Sequence, residues 1–86
     1  MSPPHVTITV LFFAQARDAA GRARATLDLP AGSRVSDALA LLERAHPRLA
    51  PLRPHLAVAV GQKLAAGDAA LADGAELALL PPVSGG

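Results

Sequence analysis

No cysteine, tryptophan or tyrosine occurs in the sequence, and phenylalanine occurs only twice. Without thiols there is no disulfide, no thiolate metal site and no side-chain sulfur nucleophile. With aromatics at 2% of residues, a base-stacking platform for single-stranded nucleic acid has too little to build on. Charge is also sparse: eight basic residues stand against seven acidic ones, for a net +1. The cations are scattered, so there is no electrostatic footprint for nucleic acid or an anionic membrane. No stretch approaches the ~20 apolar residues of a membrane-spanning helix. The opening MSPPHVTITVLFF lacks a basic leader, and Thr7 and Thr9 interrupt its apolar run, so it reads as a strand rather than a signal peptide. The expected location is cytoplasmic. Phosphate-cradling patterns, GxxxxGKS/T or GxGxxG, are missing too, and the chain is not expected to bind ATP. His5, His46 and His55 do not fall at metal-ligand spacing, so no metal is expected. Ser84 has no evident His–Asp partnership.

What the chain does have is aliphatic content. Apolar residues make up 51% of 86, which is enough for one domain with a core of Leu, Val, Ile and Ala. Such a domain buries about 60–65% of the surface its unfolded chain exposes. In HVTITVLFF (5–13), Val6, Ile8, Val10 and Phe12 share one face, and Thr7, Thr9, Leu11 and Phe13 the other. AQARDAAG (14–21) predicts a short helical turn ending at Gly21. ARATLDL (23–29) alternates again and stops at Pro30 and Gly32. The clearest helix is 36–46, where Val35, Ala38, Leu39, Leu42 and Ala45 form an apolar stripe. Ser33 or Ser36 is its expected N-cap, Asp37 suits the helix dipole, and Pro47 ends it. PRLAPLRP (47–54) has three prolines and reads as an irregular crossover loop. LAVAV (56–60) is a short apolar strand with the character of a central one, Lys63-Leu64 a short edge strand, and Asp73-Gly74 a turn. In AELALL (75–80), Leu77 and Leu79 oppose Glu76, Ala78 and Leu80. A strand pair, a helix across one sheet face and further strands make a two-layer α+β domain over residues 1–80, with 81–86 as a tail.

Side chains offer little for catalysis, so attention moves to the tail, PPVSGG. Pro81 and Pro82 hold φ near −65° and cannot donate to a sheet ladder, which aims the segment away from the sheet. Val83 and Ser84 lead to Gly85 and Gly86, which are slim enough for a slot that excludes side chains. Fully extended, 81–86 reach about 20 Å. A terminal carboxylate on Gly86 is an anion at neutral pH and a poor electrophile, so another enzyme must activate it, most simply as an acyl-adenylate.

Three segments, LFFAQARDAAG, LPAGSRVSDALALL and LADGAELALLPPVSGG, give the chain a resemblance to the small subunit of molybdopterin synthase, the MoaD-like branch of the ubiquitin-related sulfur carriers. It runs from about Thr7 to Gly86. The resemblance implies a β-grasp fold: a mixed sheet of four to five strands with one main helix packed across it. It also implies a function. A ubiquitin-activating-like adenylyltransferase spends ATP to adenylate the Gly86 carboxylate, and a sulfur donor system of the cysteine desulfurase type converts it to a thiocarboxylate. The tail then enters the large catalytic subunit of molybdopterin synthase and donates sulfur to cyclic pyranopterin monophosphate, in molybdenum cofactor biosynthesis. The small subunit would carry sulfur without an active site or bound cofactor of its own. Alternative readings are sulfur delivery for thiamine or another metabolite, protein conjugation through the same glycine, and a noncovalent β-grasp binding module.

The resemblance also implies a partner-binding patch beside the tail: Phe13 from the first strand, Leu64 from the edge strand and Leu80 from the last, with Arg17 nearby to meet an acidic group. The chain departs from the family in having Gly61 where Asn is frequent, which suggests a looser turn. It also has Leu79 and Leu80 where aromatics are frequent, which suggests a smaller patch.

Overall fold

The protein is described from a computed structural model covering residues 4–81. The alternating opening segment forms β1 (His5–Phe12), with Val6, Ile8, Val10 and Phe12 buried. Phe13, expected on this strand, lies just beyond it. Its N–H still donates to the Leu79 carbonyl (3.1 Å), but its own carbonyl accepts from the Ala16 N–H (3.0 Å), so it caps a helix instead. That helix, α1 (Ala14–Ala20), is a fuller element than the single turn expected. Gly21 ends it at φ 74°, donating to the Arg17 carbonyl at 2.8 Å.

The chain then doubles back as β2 (Arg24–Pro30), antiparallel to β1. The main helix α2 (Val35–Ala45) buries Val35, Ala38, Leu39 and Leu42. Ala45 continues the sequence stripe but is exposed. Neither serine caps α2. The Ser33 hydroxyl donates to the Pro30 carbonyl (2.7 Å), and Ser36 lies inside the first turn. Arg34 takes the cap position, where its backbone N–H donates to the Asp37 carboxylate (2.8 Å).

The three-proline segment is regular after all, a 3₁₀ helix over Pro47–His55. The φ that proline imposes suits 3₁₀ geometry, and the i to i+3 bonds that form use other donors, such as the Leu49 N–H to the His46 carbonyl (2.9 Å). The segment still serves as the crossover, and its Leu49 enters the core. It leads into β3 (Ala57–Val60), β4 (Lys63–Leu64) and β5 (Glu76–Leu80).

The sheet order is β2-β1-β5-β3-β4, with β1 and β5 parallel and the other pairs antiparallel. This is the mixed five-strand sheet of a ubiquitin-like β-grasp. The helices cover one face. Ile8, Val10, Leu42 and Leu77 meet there, and Phe12 packs edge-on against His46 with ring centroids 5.9 Å apart. The Asp73-Gly74 turn is clamped to β1: Thr7 donates its N–H to Asp73 Oδ1, and the Gly74 N–H donates to the Thr7 carbonyl, both at 2.8 Å.

Candidate functional site

The uncovered face of the sheet divides in two. On the β2 side it is polar: Arg24, Thr26 and Asp28 lie beside Thr7 and Thr9, and the Thr7 hydroxyl donates to Asp28 Oδ1 at 2.7 Å. On the other side it is apolar. Register places Leu11 beside Ala78, Ala78 beside Ala59, and Ala59 beside Leu64, so these four side chains form one row on one face. Leu80 pairs with Ala57 in the next row on that face. Ala59 is 6% exposed yet stands outside the main core, because the outer face itself shelters it.

A hollow opens on this apolar half, lined by Leu11, Phe13, Ala59, Gln62, Glu76, Ala78 and Leu80. The parallel pairing of β1 with β5 creates it. Both strands run toward the same end of the sheet, so Phe13, just after β1, meets Leu80 at the close of β5. Phe13 is 43% exposed and Leu64 74%, two of the three exposed large hydrophobic residues among those described. Such a grouping of uncovered apolar side chains marks an interaction surface.

The predicted residues are thus only partly gathered. Phe13 and Leu80 line the hollow together. Leu64 sits at its β4 margin, in line with Ala59. Arg17 is exposed in the last turn of α1, four residues after Phe13, and does not line the hollow. Pro81 is exposed, one residue beyond Leu80. Pro82, Val83, Ser84, Gly85 and Gly86 lie outside the described residues. Leu79, named with Leu80 as a departure that would shrink the patch, has no part in it: it is 1% exposed on the opposite, core-facing side. The β3–β4 turn is not loosened by Gly61 either. Gly61 (φ 57°) and Gln62 (φ 72°) make a tight two-residue reversal of the type I′ kind, and glycine adopts the first of these angles freely.

Sequence reasoning missed Ala59 and Gln62 as lining residues. Leu11, Glu76 and Ala78 were assigned to the correct faces, but alternation alone could not show that those faces adjoin. Glu76 is the one lining residue that carries charge, so it can meet a cation of whatever docks. Nothing in the hollow pairs a nucleophile with a base, and among the described residues no group of three His, Asp or Glu side chains could hold a metal ion. Nor is any helix of those residues long and apolar enough to cross a membrane.

Residues 10–86 match the ThiS family. The chain is 38% identical over 81 residues to a molybdopterin synthase sulfur carrier subunit of Chlamydomonas reinhardtii, covering 92% of this chain and 98% of that protein. It is 36% identical over 81 residues to the protein of the same name from Arabidopsis thaliana, covering 94% and 84%. The crystal structure of SAMP1 from Haloferax volcanii superposes with a TM-score of 0.81 at 36% identity, covering 93% of this chain and 99% of that one.

Proposed function

The chain belongs to the ThiS family, and from that premise we propose that it is the sulfur carrier and sulfur-donating small subunit of molybdopterin synthase. The structural observation that carries this reading is the position of the tail's root: Pro81 leaves the sheet directly beside the apolar hollow holding Phe13 and Leu80. A patch suited to docking, with the root of the C-terminal segment beside it, fits a protein whose C-terminus is used inside a partner. The relatives at 36–38% identity that bear the synthase name support the choice of pathway.

In this reading the large catalytic subunit covers the hollow and Leu64, and 81–86 extend into its active site. The reacting group is the Gly86 carboxylate. The adenylyltransferase joins it to the AMP moiety of ATP with loss of pyrophosphate. A donor of the cysteine desulfurase type brings sulfur as a persulfide, whose outer sulfur attacks the carbonyl and expels AMP. A second thiol of the donor system then cleaves the acyl disulfide, leaving the thiocarboxylate on Gly86 and a disulfide on the donor. That sulfur passes to cyclic pyranopterin monophosphate as one of the two dithiolene sulfurs, water returns Gly86 to the carboxylate, and a second loaded carrier supplies the other. Gly85 and Gly86 add no side chain to obstruct attack on the carbonyl. The chain holds no cofactor of its own and works in the cytoplasm.

Removing Gly86, or adding one residue after it, is expected to abolish sulfur transfer in a reconstituted synthase while circular dichroism stays unchanged. Untrimmed extended protein that still supported synthesis would refute the proposal. The likeness to SAMP1 favours a second reading, in which the same terminus is conjugated to other proteins. Intact mass after incubation with ATP, the activating enzyme and a sulfur source separates the two: exchange of one oxygen for sulfur marks the carrier, and mass added to other proteins marks the conjugate.

A further inference from the structure

Among the described residues, the outer edge of β2 pairs with no other strand, and its pattern matches itself. In the β1–β2 ladder the Phe12 N–H donates to the Ala23 carbonyl (2.9 Å), and the Ala31 N–H donates to the Pro4 carbonyl (3.2 Å). Bonded and non-bonded pairs alternate along an antiparallel ladder, so Ala25, Leu27 and Leu29 also turn their backbone groups toward β1. Arg24, Thr26, Asp28 and Pro30 turn theirs outward, where the sheet has no further strand among the described residues. The side chains of all four are exposed.

We infer that this edge pairs antiparallel with the β2 edge of a second copy of the chain, with Thr26 facing Thr26. In that register Arg24 of each copy stands opposite Asp28 of the other, and all three outward residues exchange both backbone bonds. Side chains of directly opposed residues come within about 5 Å on the same face, so two Arg–Asp pairs flank a Thr–Thr pair on the uncovered side of the sheet. Shifting by two residues one way sets Arg24 against Pro30, which has no N–H to give. Shifting the other way sets Arg24 against Thr26 and Asp28 against Arg22, which lies outside β2, so that ion pair would need the ladder to run beyond the strand. Strand extent, charge and donor pattern together favour the first register. Asp28 keeps the Thr7 hydroxyl on Oδ1, leaving Oδ2 for the guanidinium.

On the covered side, Leu27 of each copy meets Ala25 of the other, and Leu29 meets Ala23. Beside them lies a second hollow, lined by Leu29, Pro30, Ala40, Leu41 and Arg44 among others, where Leu41 is 38% exposed. Joining the sheets this way leaves β5, the apolar hollow and the tail free, since they lie on the other side of β1. Pairing one short strand buries less than the ~1,200 Å² of a standard interface, so the dimer is a weak, reversible one.

Sedimentation of the full chain from about 10 μM to about 1 mM tests this. Weight-average mass is expected to rise from the 8.7 kDa of one chain toward twice that value. Arg24→Asp should weaken association at least tenfold, and Arg24→Asp combined with Asp28→Arg should restore it to within about threefold. Thr26→Pro removes an outward N–H that the monomer's own ladder does not use, so it should block association while the thermal transition persists. A chain that stays monomeric throughout the range overturns the inference. So does association that survives both Arg24→Asp and Thr26→Pro but is lost with Phe13→Asp, since that result assigns self-contact to the apolar hollow instead.

Discussion

Truncating Leu64 to alanine separates docking from folding. The side chain projects from a two-residue edge strand and is 74% exposed, so the folded monomer gains little from it. Removing it should change stability by no more than about 0.5 kcal/mol. Fully burying a leucine is worth about 1.5–3 kcal/mol. Roughly three-quarters of that remains available when a partner covers the patch, and alanine retains a small part, so the loss on binding is about 1–2 kcal/mol. That corresponds to a roughly 5- to 30-fold rise in Kd. Titration calorimetry against the large synthase subunit reads this directly, alongside a thermal melt of the free chain. Leu41→Ala is the internal control: it too is exposed, but it stands on the helix side of the sheet and should leave Kd unchanged. If Leu64→Ala left both Kd and melting unchanged, or if Leu41→Ala weakened binding equally, the assignment of the outer apolar face as the docking surface would be wrong.

Two further outcomes concern the scaffold. Leu77 is 0% exposed at the centre of the core, on the strand between β1 and β3, so Leu77→Ala should cost about 2–5 kcal/mol in chemical denaturation; a loss below 1 kcal/mol would mean that this core is not packed as described. Gly74 sits at φ 82° with open space where a Cβ would go, so Gly74→Ala should cost about 1 kcal/mol from backbone strain alone. In a domain this size that is about 4–8 °C in Tm, and Gly74→Asn, which tolerates the left-handed region better, should recover part of it.

Local chemistry was legible residue by residue. Alternation in β1, β2 and β5 assigned each side chain to a face, because a strand's period of two allows no other arrangement. The α2 stripe was readable for the same reason at a period of 3.6, apart from Ala45, which is exposed. The α2 cap was misread because serine and arginine compete for a position set by how the preceding loop enters, and Asp37 decided in favour of Arg34 by reaching back to its N–H. The proline-rich crossover was misread because proline forbids α-helix and strand interiors yet permits a 3₁₀ turn.

From the sequence alone came the thiol-free, aliphatic character of the domain and the faces of its strands, both consequences of residue type and spacing. Tertiary structure alone decided which faces adjoin. Only the placement of β5 between β1, parallel, and β3, antiparallel, brings Leu80 to Phe13 and sets Ala78 between Leu11 and Ala59. Periodicity says which residues look the same way; contacts between segments more than sixty residues apart in the chain settle what they look upon.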